Sequence, residues 1–130
     1  MGISFADIKI HNTYNRPELG DIWGVTSYAE LSHEIVIPEK TPYIILFLTE
    51  EKLPASTQYR YHFADGIVEM DGEAGHATDQ KLIDAAKNGY EIHLFHRERP
   101  RLSFSYEGKV NLIDYKIDSS KPSQFKFKTI

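Results

Sequence analysis

Apolar residues recur with two different periods along this chain, and the places where the period changes mark out its elements. Leu19, Ile22 and Trp23 fall at i, i+3 and i+4, the spacing of one helix face. Asn15 is a capping residue, Pro17 is tolerated in the first turn, Glu18 completes a capping-box spacing, and Gly24 can end the run. A second helix is expected from about Asp79 to Lys87. Thr78 is its cap, Leu82, Ile83 and Ala86 form its inner face, and Asn88-Gly89 is its stop.

Elsewhere the period is that of strands. Residues 33–38 alternate around Ile35 and Ile37, and the run Tyr43-Ile44-Ile45-Leu46-Phe47-Leu48 has the length of a strand buried on both faces. Gln58–Phe63 and Ile67–Met70 flank Ala64-Asp65-Gly66 and read as a hairpin. Tyr90–His96 places Tyr90, Ile92 and Leu94 on one face. Ser103–Tyr106 is expected to turn at Glu107-Gly108 into Lys109–Ile117, a second hairpin, and Phe125 and Phe127 alternate with Lys126 and Lys128 in a closing strand. Seven or eight strands with two short helices predict an α+β fold: a small, partly closed, mainly antiparallel β-barrel with the helices at its flank.

Composition narrows the class. At 130 residues the chain has the length of one domain, and its 41% apolar and 12% aromatic content can build a core. No apolar run reaches the roughly 18 residues of a membrane span, and the N-terminus lacks the apolar stretch of a signal peptide. With no Cys, disulfide scaffolds, thiol nucleophiles and cysteine-ligated zinc are excluded. A cytoplasmic location is the expectation. The net charge of −4 is uneven: residues 1–89 hold 7 Lys/Arg against 14 Asp/Glu, whereas residues 90–130 hold 8 against 5. That balance permits a selective nucleic-acid binder with a local basic face and argues against a non-specific coat protein.

No phosphate loop, dinucleotide fingerprint, zinc-protease helix or nucleophile elbow is present. His93 and His96 are three apart on an expected strand and point to opposite faces, so neither a metal nor a cofactor is predicted. Asp71, Glu73, Asp79 and Lys81 imitate the carboxylates and lysine of a metal-dependent nuclease, although a helix start also favours acidic residues. The aromatic residues are more telling. Tyr59, Tyr61 and Phe63 share one strand face, while Trp23 and Tyr28 flank the Gly24 bend. Aromatic faces near cations stack on bases, and the same pattern also fills barrel cores. Arg97 and Arg99, with Arg101, lie in a loop around Pro100 and offer planar forks for phosphates, as does Arg16.

These pieces occur in a familiar order. Tyr14-Asn15-Arg16-Pro17-Glu18-Leu19 with Ile22-Trp23-Gly24 opens the string, followed by residues 41–47, Thr57-Gln58-Tyr59 and Gly72-Glu73 with Asp79. Residues 92–97 and 104–110 close it. The string resembles a bacterial domain found beside HNH nuclease modules and at the ends of restriction-type helicases, similar to the SRA-like branch of the PUA superfamily. Where helicase-linked relatives favour aromatics, this chain has Val68-Glu69-Met70-Asp71. The resemblance implies a binding module without catalysis of its own, which extracts a modified base, a modified cytosine first of all, from DNA. Trp23, Tyr28, Tyr59 or Tyr61 would wall the base, Glu73 or Asp79 would read its edge, and Arg16, Arg97 and Arg99 would hold phosphates. The expected partner is modified DNA, together with a nuclease or helicase module. The nuclease reading and a protein-interaction module that tethers such a partner are the alternatives.

Overall fold

The computed structural model describes residues 3–25, 31–52, 59–73 and 75–130. Nine strands and two helices follow in order: β1 (Thr13–Tyr14), α1 (Arg16–Trp23), β2 (Ile35–Val36), β3 (Tyr43–Thr49), β4 (Glu51–Lys52), β5 (Tyr59–Ala64), β6 (Ile67–Asp71), α2 (Asp79–Ile83), β7 (Glu91–Arg97), β8 (Phe104–Lys116) and β9 (Gln124–Thr129). Among the described residues no helix is long and apolar enough to cross a membrane.

All strands join one sheet in the order β2-β3-β7-β8-β9-β6-β5-β4, and β1 adds to β8 off this path. Pairing is antiparallel except between β3 and β7, which run parallel from Tyr43↔Glu91 to Thr49↔Arg97. The hydrogen-bonded path has two ends and does not close into a complete barrel. Yet its last strand, β4, is separated from β3 only by Glu50. Glu50 spans the seam: its Oε1 accepts from the Phe63 N–H of β5 at 2.7 Å and lies 2.9 Å from His96 Nε2, while Oε2 lies 2.9 Å from His62 Nδ1. Burial alone would raise this carboxyl, but the bonds from His62, Phe63 and His96 outweigh it and hold the pKa below its ordinary value.

Each face of the sheet carries its own core. On one, Ile44, Leu46, Leu48, Val68, Met70, Ile92, Leu94, Phe125 and Phe127 pack with Leu82 and Ala85 from the α2 region. On the other, Ile45, Phe47, Phe95, Phe104 and Tyr106 pack with Leu19 and Trp23 of α1. This is why residues 44–48 read as a continuous apolar run: both faces are covered.

Several local expectations change. Helix α1 has the predicted bounds, with Asn15 and Glu18 forming a reciprocal capping box and Gly24 in the left-handed region. However, its buried side is Leu19, Gly20 and Trp23, and Ile22 faces solvent at 46% exposure. Helix α2 stops at Ile83, not Lys87, and Thr78 makes no side-chain cap bond. The hairpin expected at Glu107-Gly108 does not form, because β8 runs straight through. Leu94 pairs with Gly108 and Phe95 with Tyr106, so Glu107 is an extra residue. Gly108, at φ +89°, supplies the conformation that this bulge needs.

Candidate nucleic-acid interface

A concavity of about 610 Å³ opens between the approach to β2 and the end of β6. Ser32–Ile35, leading into β2, form one wall; Tyr61 of β5, Asp71-Gly72-Glu73 at the end of β6, and Pro122 form the other. Among the described residues, Glu34, Asp71 and Glu73 give the lining three carboxyl groups, beside the imidazole of His33. Such a lining accepts hydrogen bonds from amines and repels phosphate.

The turn that carries Glu73 is held from behind. Gly72 N–H donates to Ser123 C=O at 2.7 Å. Asp79 Oδ2 accepts the Ser123 hydroxyl at 2.6 Å and lies 2.8 Å from His76 Nδ1. Asp79 is 6% exposed and Ser123 is fully buried. The packing is tight, since a Cβ on Gly72 would come within 2.7 Å of Asp79 Oδ1 and 2.8 Å of Phe125 Cε2. Asp79 therefore supports the Glu73 turn and does not line the concavity. Glu73 itself is exposed there.

The opposite wall is anchored by Arg16. Its Nε donates to Leu31 C=O, just before Ser32, and its guanidinium lies 4.9 Å from the ring centres of both Phe47 and Phe104. Arg97 lies over the same Phe104 ring at 4.2 Å, with Nε donating to Thr49 Oγ1 at 2.7 Å. Burial lowers the pKa of both guanidinium groups; Arg97 lowers that of Arg16 further, and Glu34 partly offsets this. The influence of Glu34 ties this cationic ledge to the acidic wall. Arg99 is exposed in the following loop, and among the described residues none of these three arginines has a carboxylate within ion-pair distance.

Tyr61 and Glu73 thus meet in one concavity, and Arg16 and Arg97 meet on one ring. Trp23 does not join them. It is 1% exposed, with Nε1 donating to Ser4 C=O at 2.8 Å, a packing position inside the α1 core with no face open to a ligand. Tyr28 and the side chain of Tyr59 lie outside the described residues. Asp71, Glu73, Asp79 and Lys81 do not converge: Asp79 turns inward to Ser123 while Lys81 is exposed on α2. Among the described residues no three His, Asp or Glu side chains are grouped to hold a metal ion. The Ser32–Ile35 wall and Glu34 escape sequence reasoning, because nothing local marks a strand approach as half of a distant site.

No protein-family model matches the sequence, and no curated protein does. Among solved structures, the SRA domain of SUVH5, in a complex with fully methylated CG DNA, superposes with a TM-score of 0.63 at 10% sequence identity, covering 100% of this chain and 94% of that one. The chain has an SRA-like fold.

Proposed function

We propose that this chain is a reader of modified DNA that does no chemistry of its own, and that its sheet acts as a partly closed barrel around an extracted base, first of all a modified cytosine. The observation that supports this most is the acidic concavity between β2 and the end of β6 in an SRA-like sheet, with an arginine ledge behind one wall. Extracting a base costs a few kcal/mol of unstacking and unpairing. Tyr61 offers a flat surface to offset part of that cost. Asp71 and Glu73 are acceptors for the exocyclic amine of cytosine. The same carboxylates keep phosphates out, so the backbone stays at the rim, where Arg97, Arg99 and the remaining N–H groups of Arg16 can take it. A bacterial restriction setting in the cytoplasm, with cleavage by a separate nuclease or helicase-linked module, completes the reading.

Fluorescence-anisotropy titrations of matched duplexes carrying cytosine, 5-methylcytosine or 5-hydroxymethylcytosine test it. One modified duplex is expected to bind more tightly. The amine is common to all three bases, so the preference rests on extraction of the modified base alone. Glu73→Ala should then erase ~1–3 kcal/mol of that preference, while unmodified DNA, held at its backbone, binds as before. Coincident curves for all duplexes, or undiminished selectivity in Glu73→Ala, would remove this reading of the site.

A further inference from the structure

Strand β8 is covered on one side by β7 only as far as the pair Ile92↔Val110, while β9 continues along its other side to Lys116↔Gln124. From Asn111 onward the β7-side edge of β8 has no strand partner among the described residues. The backbone marks this edge directly. Tyr115 stands opposite Phe125 of β9, yet its N–H donates at 2.9 Å to the Asp114 Oδ1 beside it. That N–H faces outward and is satisfied only by its neighbour's side chain. Ile113, Tyr115 and Ile117 are 50%, 47% and 52% exposed. Ile113 is the extra residue where β8 shifts register against β9 between Leu112 and Asp114, and Ile117 directly follows the last residue of β8. Ile113 and Tyr115 border a groove of about 740 Å³ beneath α2. An exposed edge with an alternating apolar row is a template for another strand.

The sequence of the edge indicates which strand. Ile113-Asp114-Tyr115-Lys116-Ile117 is its own complement when laid antiparallel on a second copy about Tyr115. That register sets Ile113 against Ile117, Asp114 against Lys116, and Tyr115 against Tyr115, each pair occurring in both directions, as a two-fold interface requires. Centring the axis on Asp114 or on Lys116 instead opposes like charges. Shifting it by half a residue sets charges against apolar side chains. Neither Asp114 nor Lys116 forms an ion pair within the chain among the described residues.

We propose that two copies of this chain join edge to edge through residues 113–117, extending the sheet across a two-fold axis at Tyr115. On pairing, each Tyr115 N–H exchanges the Asp114 side chain for a backbone carbonyl of the other copy. Asp114 is thereby released to meet the other copy's Lys116. The inference is independent of whether the concavity binds a base.

Sedimentation velocity on the full chain, from about 1 µM to 1 mM, tests it with a charge exchange. The native chain should shift with concentration from its 15.0 kDa mass to twice that value. Lys116→Asp sets Asp against Asp at two symmetry-related places and should weaken the dimer by about tenfold. Asp114→Lys should do the same, although it also faces Lys126 across β9, so Lys116→Asp is the cleaner single variant. The double exchange Asp114→Lys/Lys116→Asp restores opposite charges and should restore the dimer. Asp114 and Lys116 are both exposed, and circular dichroism checks that each variant is folded. A chain that stays monomeric to 1 mM overturns the proposal: Asp114 then merely guards a lone edge. Association insensitive to the single exchanges, or not recovered in the double, overturns the register.

Discussion

Replacing Asp79 with Ala separates a supporting role from a ligand-reading one. The Asp79 carboxylate is buried, and a single oxygen takes both the Ser123 hydroxyl at 2.6 Å and the His76 ring nitrogen at 2.8 Å. A hydrogen bond to a charged acceptor contributes about 1.5–3 kcal/mol. The two bonds share one atom and are lost together, so they are not summed. Oδ1 is buried without a partner, a cost that Ala removes. The net loss is then about 2 kcal/mol. At about 3–4 °C per kcal/mol for a chain of this size, Tm should fall by about 6–8 °C. Urea titration followed by circular dichroism should show the same loss at an unchanged m-value. Ser123→Ala should share most of the effect, and the double variant should fall well short of the sum. DNA selectivity should suffer less than in Glu73→Ala, because Asp79 only steadies the Glu73 turn. A change below about 0.5 kcal/mol, or additive single variants, would refute the reasoning.

Three further outcomes follow from the geometry. Glu50 has a folded pKa below its ordinary value of 4.5, so its stabilising contribution is present above that value and is lost as pH falls through the lowered one. The acid limb of the melting profile should flatten in Glu50→Gln. His93 is held neutral chiefly by burial, donating from Nε2 to Glu91 and accepting the Tyr106 O–H at Nδ1, while the Tyr106 phenol is pushed up to about 12. Its folded pKa lies below 6.5, so the unfolded chain takes up a proton first and stability falls as pH drops below 6.5. His93→Gln should remove that slope in Tm against pH. Finally, Arg99→Ala should weaken all duplexes about equally and lower the salt slope by about 1, while leaving Tm unchanged. Arg97→Ala should do both and also lower Tm, since it packs on Phe104 and bonds Thr49.

What the sequence makes legible is what neighbours in the chain decide. Asn15, Glu18 and Gly24 bound α1 because a cap involves residues three or four apart. Asp65-Gly66 makes a hairpin turn for the same reason, with both residues at positive φ. Glu107-Gly108 carries the same local chemistry but serves a bulge, and only the partner strand β7 decides between the two uses. The parallel β3–β7 pair depends on residues 48 positions apart, as in Tyr43↔Glu91. Phe5 shows no periodicity at all, yet its ring stacks 3.5 Å from that of His93. Of the site, Tyr61 and Glu73 could be named from their types. Their meeting with Glu34 comes from strand pairings far apart in the chain, and the burial of Trp23 from the packing of α1 against Phe5 and Phe95.

The position of β9 has a consequence for how the protein is made. Although it is the last of the nine described strands in chain order, it sits between β8 and β6, joining β2-β3-β7-β8 to β6-β5-β4. A nascent chain can form the β5–β6 hairpin early, but Val68 and Met70 wait for Phe125 and Phe127 before their sheet is complete. Non-local pairing of this kind folds slowly and leaves apolar edges exposed in the interval. A message truncated before residue 124 would therefore yield two half-sheets joined only through the Glu50 seam, and a substrate for chaperones and proteases in place of a weaker domain.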